Sequence, residues 1–325
     1  MRAGPDASTS VPASTGGTCL RLTSFASPHA LSRLEHRPVL LGSVLMIGAS
    51  LLFGVMAVAA RQAATGMATA QLVTLRFAIM AVGTLLWRGP GSGEIRPRNW
   101  KLLGLRGALG GAAVLLYFVA LSRARNAGTA ALLQYTSPLF TYVFGWWLLG
   151  ERPVARLGLG GLAAFGGVLL VLRTPEGVHP GAGELAGVAS AILAGLAVVT
   201  IRAARAYDNT ATILFAFSVG GLLISAPFAL PAWQAAGAAT WALALLVGVS
   251  SFFAQLMMTH AFGLVTAGQG AIYQLLTPIF TFGLGAVFLG ESISGTAVAG
   301  ALATVASIAW AARPARSPQA KVSVR

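Results

Sequence analysis

NAGTAALLQYTSPLFTYVFGWWLLGE, residues 126–151, is written a second time as TAGQGAIYQLLTPIFTFGLGAVFLGE, residues 266–291. At a fixed offset of 140, eleven of 26 positions are identical, among them Gln134/Gln274, Pro138/Pro278, Phe140/Phe280, Thr141/Thr281 and Glu151/Glu291. Shared apolar composition would match Ala, Leu and Gly; it would rarely match Gln, Pro and Glu in register. The chain is therefore a duplication, and each copy ends on Leu-Gly-Glu.

Around these two stretches the chain is 56% hydrophobic and only 9% charged, with mean hydropathy +0.77. An ordinary soluble protein carries roughly 25% charged residues. So few charges cannot cover a soluble globule, and so much apolar surface excludes a disordered chain. A polytopic membrane protein remains, its 40 glycines letting helices approach closely. The net charge of +14 fits Lys- and Arg-rich cytoplasmic loops better than nucleic acid, which is not expected as a partner. Cys19 is the one cysteine, so neither an internal disulfide nor a Cys-based metal site can form. No metal and no cofactor is expected.

About 20 apolar residues are needed to cross the hydrocarbon core. Ten stretches qualify: 39–60, 69–87, 102–122, 128–149, 157–172, 183–201, 211–230, 240–261, 267–289 and 295–312. With the N-terminus inside, 16 of the Lys and Arg residues fall on cytoplasmic segments and four outside. That asymmetry predicts two cytoplasmic termini. Residues 1–37 are rich in Ser, Thr, Pro and Gly, lack a signal-peptide core, and are read as a disordered tail. Residues 38–174 and 182–313 are read as two five-helix repeats, and 314–325 as a basic cytoplasmic tail.

The repeated stretches are the fourth and ninth spans. Five spans per copy is an odd number, so the second copy must be inverted. Inverted repeats are the architecture of many secondary carriers, whose halves exchange conformations and open one site to each side in turn.

Ten spans in two halves, with PxFT and LGE in the fourth helix of each, resemble the drug/metabolite transporter superfamily, specifically its EamA-type family. Pro138–Thr141 with Leu149-Gly150-Glu151, and Pro278–Thr281 with Leu289-Gly290-Glu291, carry the resemblance; Arg76-Phe77 is similar to that family's Arg-aromatic pattern. The resemblance implies an all-α fold of ten helices around a central cavity lined mainly by helices 1, 3, 4, 6, 8 and 9. It implies a transporter of small organic metabolites, often outward, and no particular substrate.

Pro138 and Pro278 lack the N–H that the carbonyls of Gln134 and Gln274 would accept from. Irregular backbone at membrane depth is tolerated only against protein or a watery cavity. Two symmetry-related kinks are therefore expected at the substrate site, with Gln134, Tyr135, Tyr273, Gln274 and Thr277 offering hydrogen bonds. The competing reading is that proline merely bends the helices and Gln glues them together. Tyr117 and Gln255, with Phe118, Ser250, Phe252 and Phe253, are further candidates for a weakly polar lining or for plain packing. Arg76, near the middle of the second span, either attracts a substrate carboxylate or phosphate or is a structural arginine. Arg106, one turn into the third span, reads as a topology anchor. Glu151, Glu291 and His260 are candidates for gating or proton coupling; the simpler reading makes each a boundary residue. A Glu at a helix C-terminus opposes the negative end of the helix dipole, so Glu151 and Glu291 each need a cation or a neighbouring helix N-terminus.

No Asp or Glu lies at mid-membrane depth in any span, which argues against strong ion coupling. HExxH, GxSxG and intramembrane Asp pairs are absent from the sequence, so an intramembrane enzyme is not expected. The expected protein is a monomeric or homodimeric secondary transporter of the inner membrane, its expected cargo amino-acid-like, nucleoside-like or similar and moved outward. A channel or membrane scaffold is the alternative.

Overall fold

The computed structural model describes residues 28–90, 92–123, 132–172, 181–290 and 294–313. Its described helices are α1 (Pro28–Ala63), α2 (Thr69–Leu86), α3 (Trp100–Arg123), α4 (Ser137–Leu149), α5 (Ala155–Leu172), α6 (Ala182–Ala204), α7 (Thr210–Ala229), α8 (Ala238–Ala261), α9 (Ala267–Gln274), α10 (Thr277–Leu289) and α11 (Gly295–Ala311). No strand occurs among the described residues. Residues 1–37 form a unit separate from the body that begins at Pro38, and the packing below concerns the body. Within that first unit α1 already begins at Pro28, inside the stretch read as a tail; Leu31, Arg33, Leu34 and Glu35 there are good helix formers.

Among the described residues, seven segments are long and apolar enough to cross a membrane: Pro38–Ala63, Thr69–Leu86, Ala155–Leu172, Ala182–Ala204, Thr210–Ala229, Ala238–Ala261 and Ala267–Leu289. Gly295–Ala311 is a shorter apolar helix. α3 carries Lys101, Arg106 and Arg123, and α4 has only 13 residues.

Local chemistry sets the helix ends. Asn209 Oδ1 accepts from Thr212 N–H at 2.8 Å to start α7, and Thr266 with Gln269 forms a reciprocal capping box on α9, two orphan donors satisfied at once. Gly150 and Gly290 close α4 and α10 at φ 65° and 66°. That left-handed conformation is nearly free only for glycine. Leu149-Gly150-Glu151 is thus an apolar last turn, a glycine stop and an acid beyond the helix, and Leu289-Gly290 repeats the first two.

α4 packs on α6 and α9, α3 on α6 and α7, α2 on α7 and α8, and α5 on α11. These pairings obey the duplication. A Cβ at Gly54 of α1 would lie 2.9 Å from Phe280 Cβ and 3.1 Å from Thr281 N; one at Gly195 of α6 would lie 2.8 Å from Phe140 Cβ and 3.1 Å from Thr141 N. Likewise Gly107 of α3 meets Gly220 of α7, as Gly248 of α8 meets Ile79 of α2. Each residue lies 140 or 141 positions from its counterpart. Every one of these contacts joins opposite copies, so the two halves interlock.

α5 and α11 meet through glycine as well. A Cβ at Gly300 would sit 2.6 Å from Gly167 O and 3.0 Å from Val171 N, backbone atoms that cannot step aside. Gly300→Val is therefore expected to destabilise the fold by about 1–3 kcal/mol through overpacking, read as a lower unfolding midpoint in detergent; an unchanged midpoint would contradict this packing. The glycine-rich face of span 5 thus serves contact within the chain.

The loops joining α2 to α3 and α6 to α7 meet at one end of the body. Asp208 accepts from Arg98 N–H at 2.7 Å, and Asn209 Nδ2 donates to Glu94 O at 2.8 Å. Arg202 Nη1 donates to Phe262 O at 3.0 Å, and Arg156 Nη2 donates to Arg313 O. That end gathers Arg96, Arg98, Arg156, Arg202, Arg205 and Arg313, while Arg61 and Arg123 close α1 and α3 at the other.

Candidate functional site

The fourth and ninth spans are each interrupted by one short turn. Residues 132–134 are helical, 135–136 form a turn, and α4 starts anew at Ser137. α9 ends at Gln274, Leu275 and Leu276 turn, and α10 starts at Thr277. The sequence reading puts a kink before each proline. The interruptions lie where that reading puts them: Thr136, Leu275 and Leu276 keep right-handed helical φ and ψ, and Pro138 and Pro278 open the segment that follows. Thr141 Oγ1 donates to Ser137 O at 3.0 Å and Thr281 Oγ1 to Thr277 O at 2.9 Å. The repeated PxFT is the fold's device for restarting a helix.

Ser190 and Ser50, 140 positions apart, each reach across to the opposite copy. Ser50 Oγ donates to Tyr273 O at 2.9 Å, beside the break. Ser190 Oγ lies 2.6 Å from Gln134 Oε1 and 2.7 Å from Ala113 O. Gln134 is half-buried and engaged; Gln274 is half-buried with its Nε2 enclosed and without a partner. Tyr135 lies beside Tyr117 and Thr281. Tyr135 and Tyr273 both flank the core formed by Leu157, Ile272 and Leu275. Pro138 and Pro278 are buried; Thr277 is half-buried.

A cavity of about 200 Å³ adjoins the breaks, lined by Pro138, Leu139 and Tyr142 from one copy and Ile272 and Leu275 from the other. A second, of about 400 Å³, lies between α2, α3 and α7 against Val73 and Phe77. Both are apolar, and neither is lined by Gln134 or Gln274.

Glu151 meets the demand its position creates. Ala267 N–H, the first residue of α9, donates to its Oε1 at 3.0 Å and its Oε2 at 2.9 Å, and Arg202 Nε lies 3.5 Å from Oε1. The carboxylate gains a helix N-terminus and a cation. The end of α4 therefore adjoins the start of α9, with Gly145 and Glu151 both against Ala267. Glu291 falls outside the described residues. Nearby, burial and then the Arg202 charge lower the pKa of Arg205. His260 ends α8, its Nδ1 3.4 Å from Thr210 Oγ1.

Arg106 corrects the expectation of an anchor. It is 3% exposed. Its Nη2 donates to Gln255 Oε1 at 3.4 Å, and its guanidinium carbon lies 3.8 Å from the centre of the Phe217 ring, a cation–π contact. Gln255 is buried. Arg76 is half-buried, 5.5 Å from the centre of Phe77, and within electrostatic range of Arg106. Phe252 and Phe253 stack edge-on with Trp87, and Ser250 bonds back to Leu246 O, so these three serve packing.

The profile of the EamA-like transporter family matches residues 40–173 and again 181–313. The chain is 28% identical over 274 residues to the pseudopaline exporter of Pseudomonas aeruginosa, covering 82% of this chain and 95% of that one. It is 27% identical over 251 residues to human solute carrier family 35 member G1, covering 72% and 68%. A solved crystal structure superimposes with TM-score 0.73 at 22% identity, covering 83% of this chain and 97% of that one; it supports the fold.

Proposed function

Because this chain belongs to the EamA-like transporter family, and is thus a membrane transporter, we propose that it is a secondary carrier exporting a small organic metabolite by alternating access. In this reading ten spans form two inverted five-helix repeats, 38–174 and 182–313, in the bacterial inner membrane with both termini cytoplasmic. The substrate site lies between the copies beside the two helix breaks. Gln134, Gln274, Tyr135, Tyr117, Tyr273 and Thr277 face it, and Glu151 with Arg202 holds the basic end shut.

One observation carries the reading: the paired crossings of Gly54 on Phe280 and Gly195 on Phe140. Each first helix of one copy lies against the restarted helix of the other. Two such equivalent joints are what a carrier needs if its halves are to exchange conformations. The export direction is supported by the likeness to an exporter, and the cytoplasmic placement of the basic end by its arginines.

The test is solute flux. Metabolite profiling of medium and cells after deletion and overexpression identifies candidates, and proteoliposomes then measure counterflow. Saturable counterflow is expected; a non-saturating conductance would mark a channel and overturn the carrier. Gln134→Ala and Gln274→Ala are each expected to slow counterflow about 3–10-fold, the worth of one hydrogen bond, with insertion unchanged. Wild-type flux in both would remove these amides from the site.

A further inference from the structure

Arg106 is buried and Arg76 half-buried with its Nε enclosed, and neither has a carboxylate in ion-pair range among the described residues. Of the described acids, Glu94 is engaged with Arg96, Glu151 with Arg202, and Asp208 with the backbone of Arg98 and Asn99. Burying one unpaired guanidinium is costly, and two of like sign within range of each other cost more. The contacts present do not discharge them. Phe77 and Phe217 pack edge to face at 5.3 Å and offer only ring faces. The Gln255 amide oxygen is one neutral acceptor at 3.4 Å.

Unmet hydrogen-bonding capacity coincides with these two charges. Arg76 Nε and Arg106 Nε are both enclosed and have no partner. So is Ser251 Oγ, on α8 one helical turn before Gln255 and hence on the same face. Three buried donors and two positive charges are thus left without an acceptor of matching charge. Buried polar groups in folded proteins almost always find partners, so this cluster calls for one that the described residues do not supply.

We propose that Arg76 and Arg106, with Gln255 and Ser251, bind an acidic group, a carboxylate or phosphate, on the transported solute. The inference rests on the carrier reading and narrows its cargo to anions. A guanidinium donates through two parallel N–H groups to a planar carboxylate or to a phosphate. The charge neutralised on binding removes the repulsion between the arginines, so the occupied carrier is the more stable one. The same chemistry could be met by a phospholipid headgroup, which makes the lipid an arm of the test.

The experiment measures thermal unfolding of the full chain in uncharged detergent with succinate, L-glutamate or inorganic phosphate, against neutral succinamide. At least one anion is expected to raise the midpoint in a saturable manner while succinamide does not. Arg76→Gln and Arg106→Gln should each weaken the apparent affinity about 10–100-fold, as loss of a charged hydrogen-bonding partner implies. Arg106→Lys, which keeps the charge, should fold and retain part of the response. No anion-specific shift, or a shift unchanged in both Gln variants, would overturn the site. Stabilisation by phosphatidylglycerol alone would assign the arginines to lipid and overturn the solute reading. Anion stabilisation without counterflow would sink the carrier and leave the anion site standing; counterflow confined to neutral solutes would do the reverse.

Discussion

Leucine at Gly195 is expected to abolish transport, by about 100-fold or more in initial counterflow rate, and leucine at Gly54 to do the same. At both positions even a Cβ would come within 2.9 Å of a phenylalanine Cβ and 3.1 Å of a backbone nitrogen. Real Cβ atoms do not pack so closely, and a restarted helix has no slack to yield. The side chain must force the crossing apart, costing about 1–3 kcal/mol before its γ-carbons are placed. Alanine at either position should give an intermediate rate with normal elution from a sizing column. The equivalence is the telling part. Gly54 and Gly195 lie far apart in sequence and contact different helices, yet the duplication makes them one joint used twice. Wild-type rates in both leucine variants would show that the crossings do not move or bear on the cycle.

Glu151→Gln is expected to release the basic end. The carboxylate accepts from the first amide of α9 through both oxygens and faces Arg202 at 3.5 Å. Glutamine removes the charge and one acceptor, leaving Arg202 with Phe262 O alone. Hydrogen bonds to charged groups contribute about 1.5–3 kcal/mol, so the equilibrium between conformations should shift by about 10–100-fold toward opening at this end. A maleimide reporter at Tyr207, which is 56% exposed beside this face, would not discriminate; a cysteine at Thr266, half-buried under Glu151, would. Its labelling rate should rise at least tenfold in Glu151→Gln, and an unchanged rate would reduce Glu151 to a helix cap.

Much of this architecture was legible in the residues because membrane burial imposes a simple code. The apolar stretch read at 211–230 is α7 at Thr210–Ala229, and that at 183–201 is α6 at Ala182–Ala204, since water-soluble loops and lipid-soluble helices differ sharply in composition. The duplication was legible in Gln, Pro and Glu held in register. Its extent was not. Ser50 and Ser190 share the same offset, yet serine is common enough in helices that only their parallel reaches across the body distinguish them. Proline placed the weakened turn but not its extent: the missing N–H marks the position, while the length of the interruption depends on how the preceding residues pack. Arg106 was misread because sequence position gives depth along a helix but not which face the side chain takes; its placement over Phe217 depends on how α3 meets α7. The sites of Glu151 and Arg202 were half visible. The need for a cation and a helix N-terminus follows from Leu-Gly-Glu, but their identity depends on two helices from the other copy.

Two pairs of spin labels, one at each end of the body, test alternating access most directly. With Cys19 replaced by serine, one protein carries labels at Arg152 and Tyr207, on the basic face, and another at Thr65 and Ala239, on the opposite face, where Gly66 meets Thr240. Distances are measured by pulsed electron resonance in lipid discs, in wild type and in Glu151→Gln. The expected result is asymmetric: the Arg152–Tyr207 distance lengthens in the variant while the Thr65–Ala239 pair, flanking the Gly66–Thr240 contact, stays short. Distances that stay fixed at both ends, or that lengthen together, would contradict a carrier built from two inverted copies.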